Sequence, residues 1–113
     1  MLFRSEPAEM KDDSFKDFVL DQLRAMGELE SRAMFGGFGV YADGRIFGIL
    51  FKGRLYFKTN GVTREAYVSR GLKPFRPNVK QRLNSYYEVP ANVIEDAAQL
   101  EAWARVAVRV VGA

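Results

Sequence analysis

RAMFGGFGVYADGRIFGILFKGRLYFKTN, residues 32–60, reads as three antiparallel strands joined by two tight turns. Asp43-Gly44, between Val40-Tyr41 and Ile46-Phe47, is a two-residue hairpin loop, because both central positions of such a turn need positive φ. Lys52-Gly53, between Phe51 and Leu55, repeats the arrangement. From Arg54 to Lys58 the chain alternates, with Leu55 and Phe57 on one side and Arg54, Tyr56 and Lys58 on the other. From Ile46 to Phe51 both sides are apolar: Phe47, Ile49 and Phe51 point one way, Ile46 and Leu50 the other. Both faces of this strand therefore need cover. Helices supply one, and a second subunit is expected to supply the other, so a homodimer is expected.

Working outward, residues 1–13 are expected to form a flexible leader, and residues 14–113 a single domain. Ser14 is placed to cap a first helix whose apolar face carries Phe15, Phe18, Val19, Leu23 and Met26, and which Gly27 closes. After the strands, Val62 to Arg70 reads as a short helix ended by Gly71. Pro74 and Pro77 then bracket an extended basic piece, and Leu83 to Val89 reads as a strand ending at Pro90. Asp96 caps the last helix with Gln99 three residues on. Leu100, Trp103, Ala104, Ala107, Val108 and Val111 form its apolar stripe.

The chain holds 113 residues, 48% of them hydrophobic, enough for one packed core. It has no cysteine and no histidine, which removes thiolate chemistry, disulfides, and the usual acid–base catalyst and metal ligand near neutral pH. The N-terminus lacks the basic-then-apolar pattern of a signal peptide, and no stretch approaches the roughly 20 apolar residues of a membrane span. A cytoplasmic protein is expected.

Most catalytic patterns fail on context. Gly37-x-Gly39-x-x-Ala42 matches a dinucleotide-binding spacing, but it leads into a hairpin rather than a helix whose N-terminus could hold a pyrophosphate. Glycines here permit a bulge or bend instead. Lys58-Thr59 lacks the second glycine of a phosphate loop. Gly37-Phe38-Gly39-Val40-Tyr41 echoes an RNA-recognition strand without its leading basic residue. The carboxylates Asp12, Asp13, Asp17 and Asp21 fit a solvated helix face, and no serine has a histidine to activate it. The chain is expected to be no enzyme, with no cofactor.

Charge is segregated. Residues 45–82 hold ten Lys or Arg and one acid, against a net charge of +3 for the whole chain. Cations interleaved with Tyr56, Tyr67 and Phe75 could hold phosphates and stack bases, with Arg54, Lys58, Arg76 and Arg82 as candidate phosphate contacts. The alternative is a dispersed basic surface that balances the acidic first helix.

Arg32-Ala33-Met34-Phe35-Gly36-Gly37-Phe38-Gly39-Val40-Tyr41 resembles the signature of the TfoX/Sxy N-terminal domain family, named for bacterial regulators of natural competence. The resemblance continues at Gly44, Leu55-Tyr56-Phe57-Lys58, Pro74-Phe75, Tyr86-Tyr87-Glu88-Val89-Pro90 and Trp103. It implies a two-layer α+β fold, an antiparallel sheet packed with helices in the order α-β(3)-α-β(2)-α that matches the elements read above, in a bacterial cytoplasmic protein with no known catalytic or cofactor-binding residues. Full-length competence regulators of this type add a helix-hairpin-helix-like domain and act with the cyclic-AMP receptor protein at promoters. This chain ends directly after the expected last helix, so it is expected to be either a stand-alone regulatory or protein-interaction module, with a protein partner in transcription regulation, or a piece of a longer chain. Within the signature, Arg32, Met34, Phe35, Gly36, Gly37, Gly39 and Tyr41 are expected to be structural, Gly36 and Gly37 through their φ freedom.

Overall fold

The computed structural model describes residues 7–34, 36–78 and 80–112. Helix α1 (Pro7–Gln22) is followed by a 3-10 turn (Arg24–Met26) and four consecutive strands: β1 (Glu30–Met34), β2 (Gly37–Ala42), β3 (Arg45–Phe51) and β4 (Arg54–Lys58). A short α2 (Glu65–Val68) leads to the hairpin β5 (Pro74–Asn78) and β6 (Gln81–Glu88), and then to α3 (Ala91–Ile94) and α4 (Ala97–Val110). The sheet is antiparallel throughout, in the order β1-β2-β3-β4-β6-β5.

This is the expected α+β architecture with one strand and one short helix more than the sequence reading. The extra strand comes from the glycine block. Arg32 to Ala42 is a hairpin, not one strand: Met34 pairs with Gly37, and Gly36 turns the chain at φ +84°. Both later turns are as expected, with φ of 50° and 78° at Asp43 and Gly44 and of 52° and 74° at Lys52 and Gly53. The first helix starts at Pro7 rather than after Ser14. Proline suits a first helical turn, and Ala8, Glu9, Met10 and Lys11 are good helix formers. Residues 1–6 of the expected leader lie outside the described residues.

The main core lies between the helices and one sheet face. Val19 of α1 and Leu23 directly after it, Val40, Phe47, Leu50, Leu55 and Phe57 of the sheet, and Leu100, Ala104 and Ala107 of α4 meet there. Each large side chain so buried contributes about 1.5–3 kcal/mol before the entropy of ordering it. Phe18, expected on this apolar face, is 44% exposed, because the line that packs on the core runs from Phe15 and Val19 of α1 to Leu23 directly after it, at four-residue spacing. Gln22 Nε2 donates to the Ile94 carbonyl at 2.9 Å and ties α1 to α3. Asp96 caps α4 as expected, accepting from the Ala98 and Gln99 backbone N–H groups at 3.1 Å and from the Gln99 side-chain amide at 3.0 Å.

The alternation expected along β3 breaks at a bulge. Val40 pairs with Gly48 but Tyr41 pairs with Ile46, so Phe47 is an extra residue on β3. The side chains beyond it change face. Leu50 joins Phe47 in the main core, while Ile49 and Phe51 turn to the second face with Ile46. Gly48 was the available sign, since a glycine inside a strand often marks a bulge.

On the second face Ile49, Tyr56, Phe75 and Tyr86 form a smaller buried cluster. Phe75 of β5 is fully buried, its ring 5.3 Å from Phe51 of β3 and 4.7 Å from Tyr56 of β4. The last hairpin therefore curls back over the sheet. It supplies within one chain the cover for which the sequence reading called on a second subunit.

Candidate functional site

The basic segment is distributed rather than gathered. Arg45, the first residue of β3, donates to the Val111 carbonyl at 3.0 Å and so serves the C-terminus of α4. The guanidinium of Arg70 stacks 5.0 Å over Trp103. Of the candidate phosphate contacts, Arg54 donates to Glu88 Oε2 across β4 and β6 at 2.7 Å. That hydrogen bond, helped by the carboxylate charge, raises the Arg54 pKa. Lys58 is half-buried, its Nζ 3.2 Å from Ser85 Oγ and 5.1 Å from the Tyr86 ring centroid. Arg76 and Arg82 are exposed on the two strands of the last hairpin, each next to the Phe75–Leu83 pair.

A groove of about 480 Å³ brings Arg54 and Arg76 together, along with Lys73, Tyr56 and Glu88, beside the Gly71–Pro74 segment. Lys58 and Arg82 do not line it. Burial first, and the Glu88 charge second, raise the Tyr56 pKa and keep that phenol protonated. Three cations and a hydroxyl therefore line the groove, with Glu88 holding Arg54.

The signature residues build the first hairpin, and Phe35 lies outside the described residues. Arg32 bonds Glu30 at 3.0 Å and stacks 4.4 Å over the Tyr41 ring. A side chain on Gly39 would strike Met34 Sδ and Ile46 Cδ1, each at 2.8 Å, so the glycine makes room for that packing. Gly37 corrects the expectation of φ freedom: its φ is not positive, and what it needs is space against the Leu50 carbonyl. Gly36 does need the positive φ.

One feature escaped the sequence reading. Thr63, Ala66 and Tyr67, in and just before α2, and Ala102, Trp103 and Val106 of α4 line an almost wholly apolar groove of about 340 Å³. Trp103, expected as core, is only partly buried, with its indole edge-on to Tyr67 at 5.0 Å. Burial pushes the Tyr67 phenol far above the ordinary tyrosine range, so its hydroxyl stays neutral. Val62 and Val68 nearby are 81% and 47% exposed. The available signal was Ala102 and Val106, which widen the apolar face of α4 beyond its core stripe at four-residue spacing.

Among the described residues, no three acidic side chains come together as a metal site would require, and no helix is long and apolar enough to cross a membrane. Fold and surfaces of the described residues define a small antiparallel α+β domain that carries a basic groove and an apolar groove among its surface features. The TfoX N-terminal domain family model matches residues 21–111, and the chain belongs to that family. No curated protein matches it.

Proposed function

We propose that this chain is a non-catalytic regulatory module of the bacterial cytoplasm that acts through protein contacts, self-association among them, in the control of transcription. The observation that carries this reading is the apolar groove between α2 and α4. A concave, water-accessible surface of this kind gains free energy when a partner's apolar side chains displace its water. Its aromatic lining is of the type that anchors protein interfaces.

Trp103 is the single tryptophan and lies in the groove, so it reports occupancy directly. A protein captured from an extract of the source cells, once purified, should shift Trp103 emission on titration. It should lose affinity for the Ala102→Glu variant, because Ala102 is exposed and the substitution changes the groove without touching the core. A captured protein that binds this variant equally well and leaves the emission unchanged refutes the groove as the contact.

Direct nucleic-acid binding is the second reading, favoured by Arg54, Lys73 and Arg76 lining one groove with Tyr56. Fluorescence anisotropy of labelled duplex DNA and single-stranded RNA at about 50 and 200 mM salt tests it, since several phosphate contacts weaken steeply over that range. Binding with that slope, lost on Lys73→Glu with Arg76→Glu, supports it. No binding at the lower salt rejects it.

A further inference from the structure

The two edges of the sheet are treated differently. β5, at one end, contains Pro74 and Pro77 and pairs irregularly with β6, and prolines and irregular pairing are ordinary means of blocking further strand addition. β1, at the other end, contains no proline and pairs with β2 in unbroken register from Glu30 to Met34. The edge that β1 presents is regular.

Which groups that edge offers follows from the turn. Met34 and Gly37 close a two-residue loop, and a closing pair directs its N–H and C=O groups at each other. Alternation then turns the backbone groups of Arg32 and Glu30 toward β2, and those of Ser31 and Ala33 outward. Glu30 and Arg32 are exposed, with side chains 66% and 59% accessible.

We propose that two copies of this chain pair through β1, antiparallel, with Ser31 opposite Ser31 on the twofold axis, which joins the two sheets into one. This rests on the self-association within the function proposed above and names its surface. Three features select the register. Ser31 is an outward-facing residue, so the central pair exchanges backbone hydrogen bonds, and so does Ala33 with Leu29 of the second copy. Glu30 of each copy then stands directly opposite Arg32 of the other. Those are positions without backbone bonds, where facing side chains approach most closely. The sequence Glu-Ser-Arg is thus complementary to itself when reversed, and the Glu30–Arg32 pair inside each of the two chains exchanges for one of two such pairs across the axis, so no charge loses its partner.

The full chain contains no cysteine, so Ser31→Cys introduces one thiol per copy. Facing hydrogen-bonded residues lie about 5.5 Å apart at Cα, within disulfide range. Under mild oxidation the Ser31→Cys protein should convert to a cross-linked dimer. Ala33→Cys, two residues off the axis, should stay largely uncross-linked. Sedimentation gives the second measurement. Glu30→Arg and Arg32→Glu should each shift the protein to monomer with an unchanged circular dichroism spectrum, and mixing the two variants should restore a dimer, because their charges again oppose. A dimer that neither charge change weakens, and that cross-links no faster through Ser31→Cys than through Ala33→Cys, overturns the β1 pairing but keeps self-association. A wild-type chain that sediments as a monomer at several hundred micromolar overturns both, and the groove test with a different protein stands apart from either result.

Discussion

Alanine at Gly37 separates two reasons for a glycine that the sequence cannot distinguish. A Cβ there would overlap the Leu50 carbonyl oxygen and lie 3.2 Å from both Leu50 C and Phe51 Cα. Overpacking by a methyl group costs about 1–3 kcal/mol when side chains can move aside. Here the obstacle is the backbone of β3, so the loss belongs at the upper end, about 3 kcal/mol. At Gly36 nothing lies within 4 Å, but φ is +84°, so alanine should cost about 1–2 kcal/mol through the left-handed backbone alone. Gly61 has open space and no positive φ, and alanine there should change stability by less than about 0.5 kcal/mol. Urea unfolding followed by Trp103 fluorescence and far-ultraviolet dichroism reads all three. With a slope of about 1.5 kcal/mol/M, Gly37→Ala should move the midpoint down by roughly 2 M, and Gly36→Ala by about half as much. If Gly36→Ala proves the more damaging, or Gly37→Ala falls within about 0.5 M of wild type, the steric account of the hairpin is wrong.

Three further outcomes are expected. Phe75→Ala should destabilise by about 3–5 kcal/mol, since the ring is fully buried against Phe51 and Tyr56, and a loss under 1 kcal/mol would mean that β5 does not cover the second face. Asp96→Ala should lower the melting temperature at neutral pH. Because the Gln99 hydrogen bonds lower the Asp96 pKa, its contribution is present above the ordinary 3.8 and is lost as pH falls through the lowered value. The gap between variant and wild type should therefore narrow in acid, and a gap that is constant with pH contradicts a cap made by the carboxylate. Burial raises the pKa of Tyr67, Tyr56 and Tyr86 above 10.0, so stability should fall as pH rises past that value, where the unfolded chain loses phenol protons and the folded one keeps them. Tyrosinate absorbance that developed fully near pH 10 with the fold intact would contradict this.

Much of the architecture could be read where chemistry is local. Asp43-Gly44, Lys52-Gly53 and Asp96 announce themselves because positive φ and a carboxylate cap each demand a short list of residues. The stripe of α4 and the alternation of β4 follow from periodicity. The bulge at Phe47 was hidden, because an extra residue preserves the apolar composition of β3 while exchanging the faces of everything beyond it. The curl of β5 was hidden as well. Phe75 lies between prolines in a segment whose local signal is only extended chain, and its burial depends on Phe51 of β3 and Tyr56 of β4, roughly twenty residues earlier. The candidate surfaces were harder still. Arg54, Lys58, Arg76 and Arg82 look alike in sequence, yet a carboxylate holds the first and a serine and a tyrosine ring hold the second.

The order of the strands also divides the chain in time. β1 to β4 are sequential neighbours, so each pairing closes only a short loop and can form early. β6 must cross from the last hairpin to reach β4, and α4 must return from the end of the chain to β3 and β4. Those non-local closures carry the larger entropic cost and set the folding rate. Until they occur, the inner face of the four-strand meander, with Phe47, Leu55 and Phe57, has cover from α1 and the residues just after it but none from α4. A chain still emerging from synthesis passes through that stage, and it is then that this domain is most open to a chaperone and most prone to aggregate.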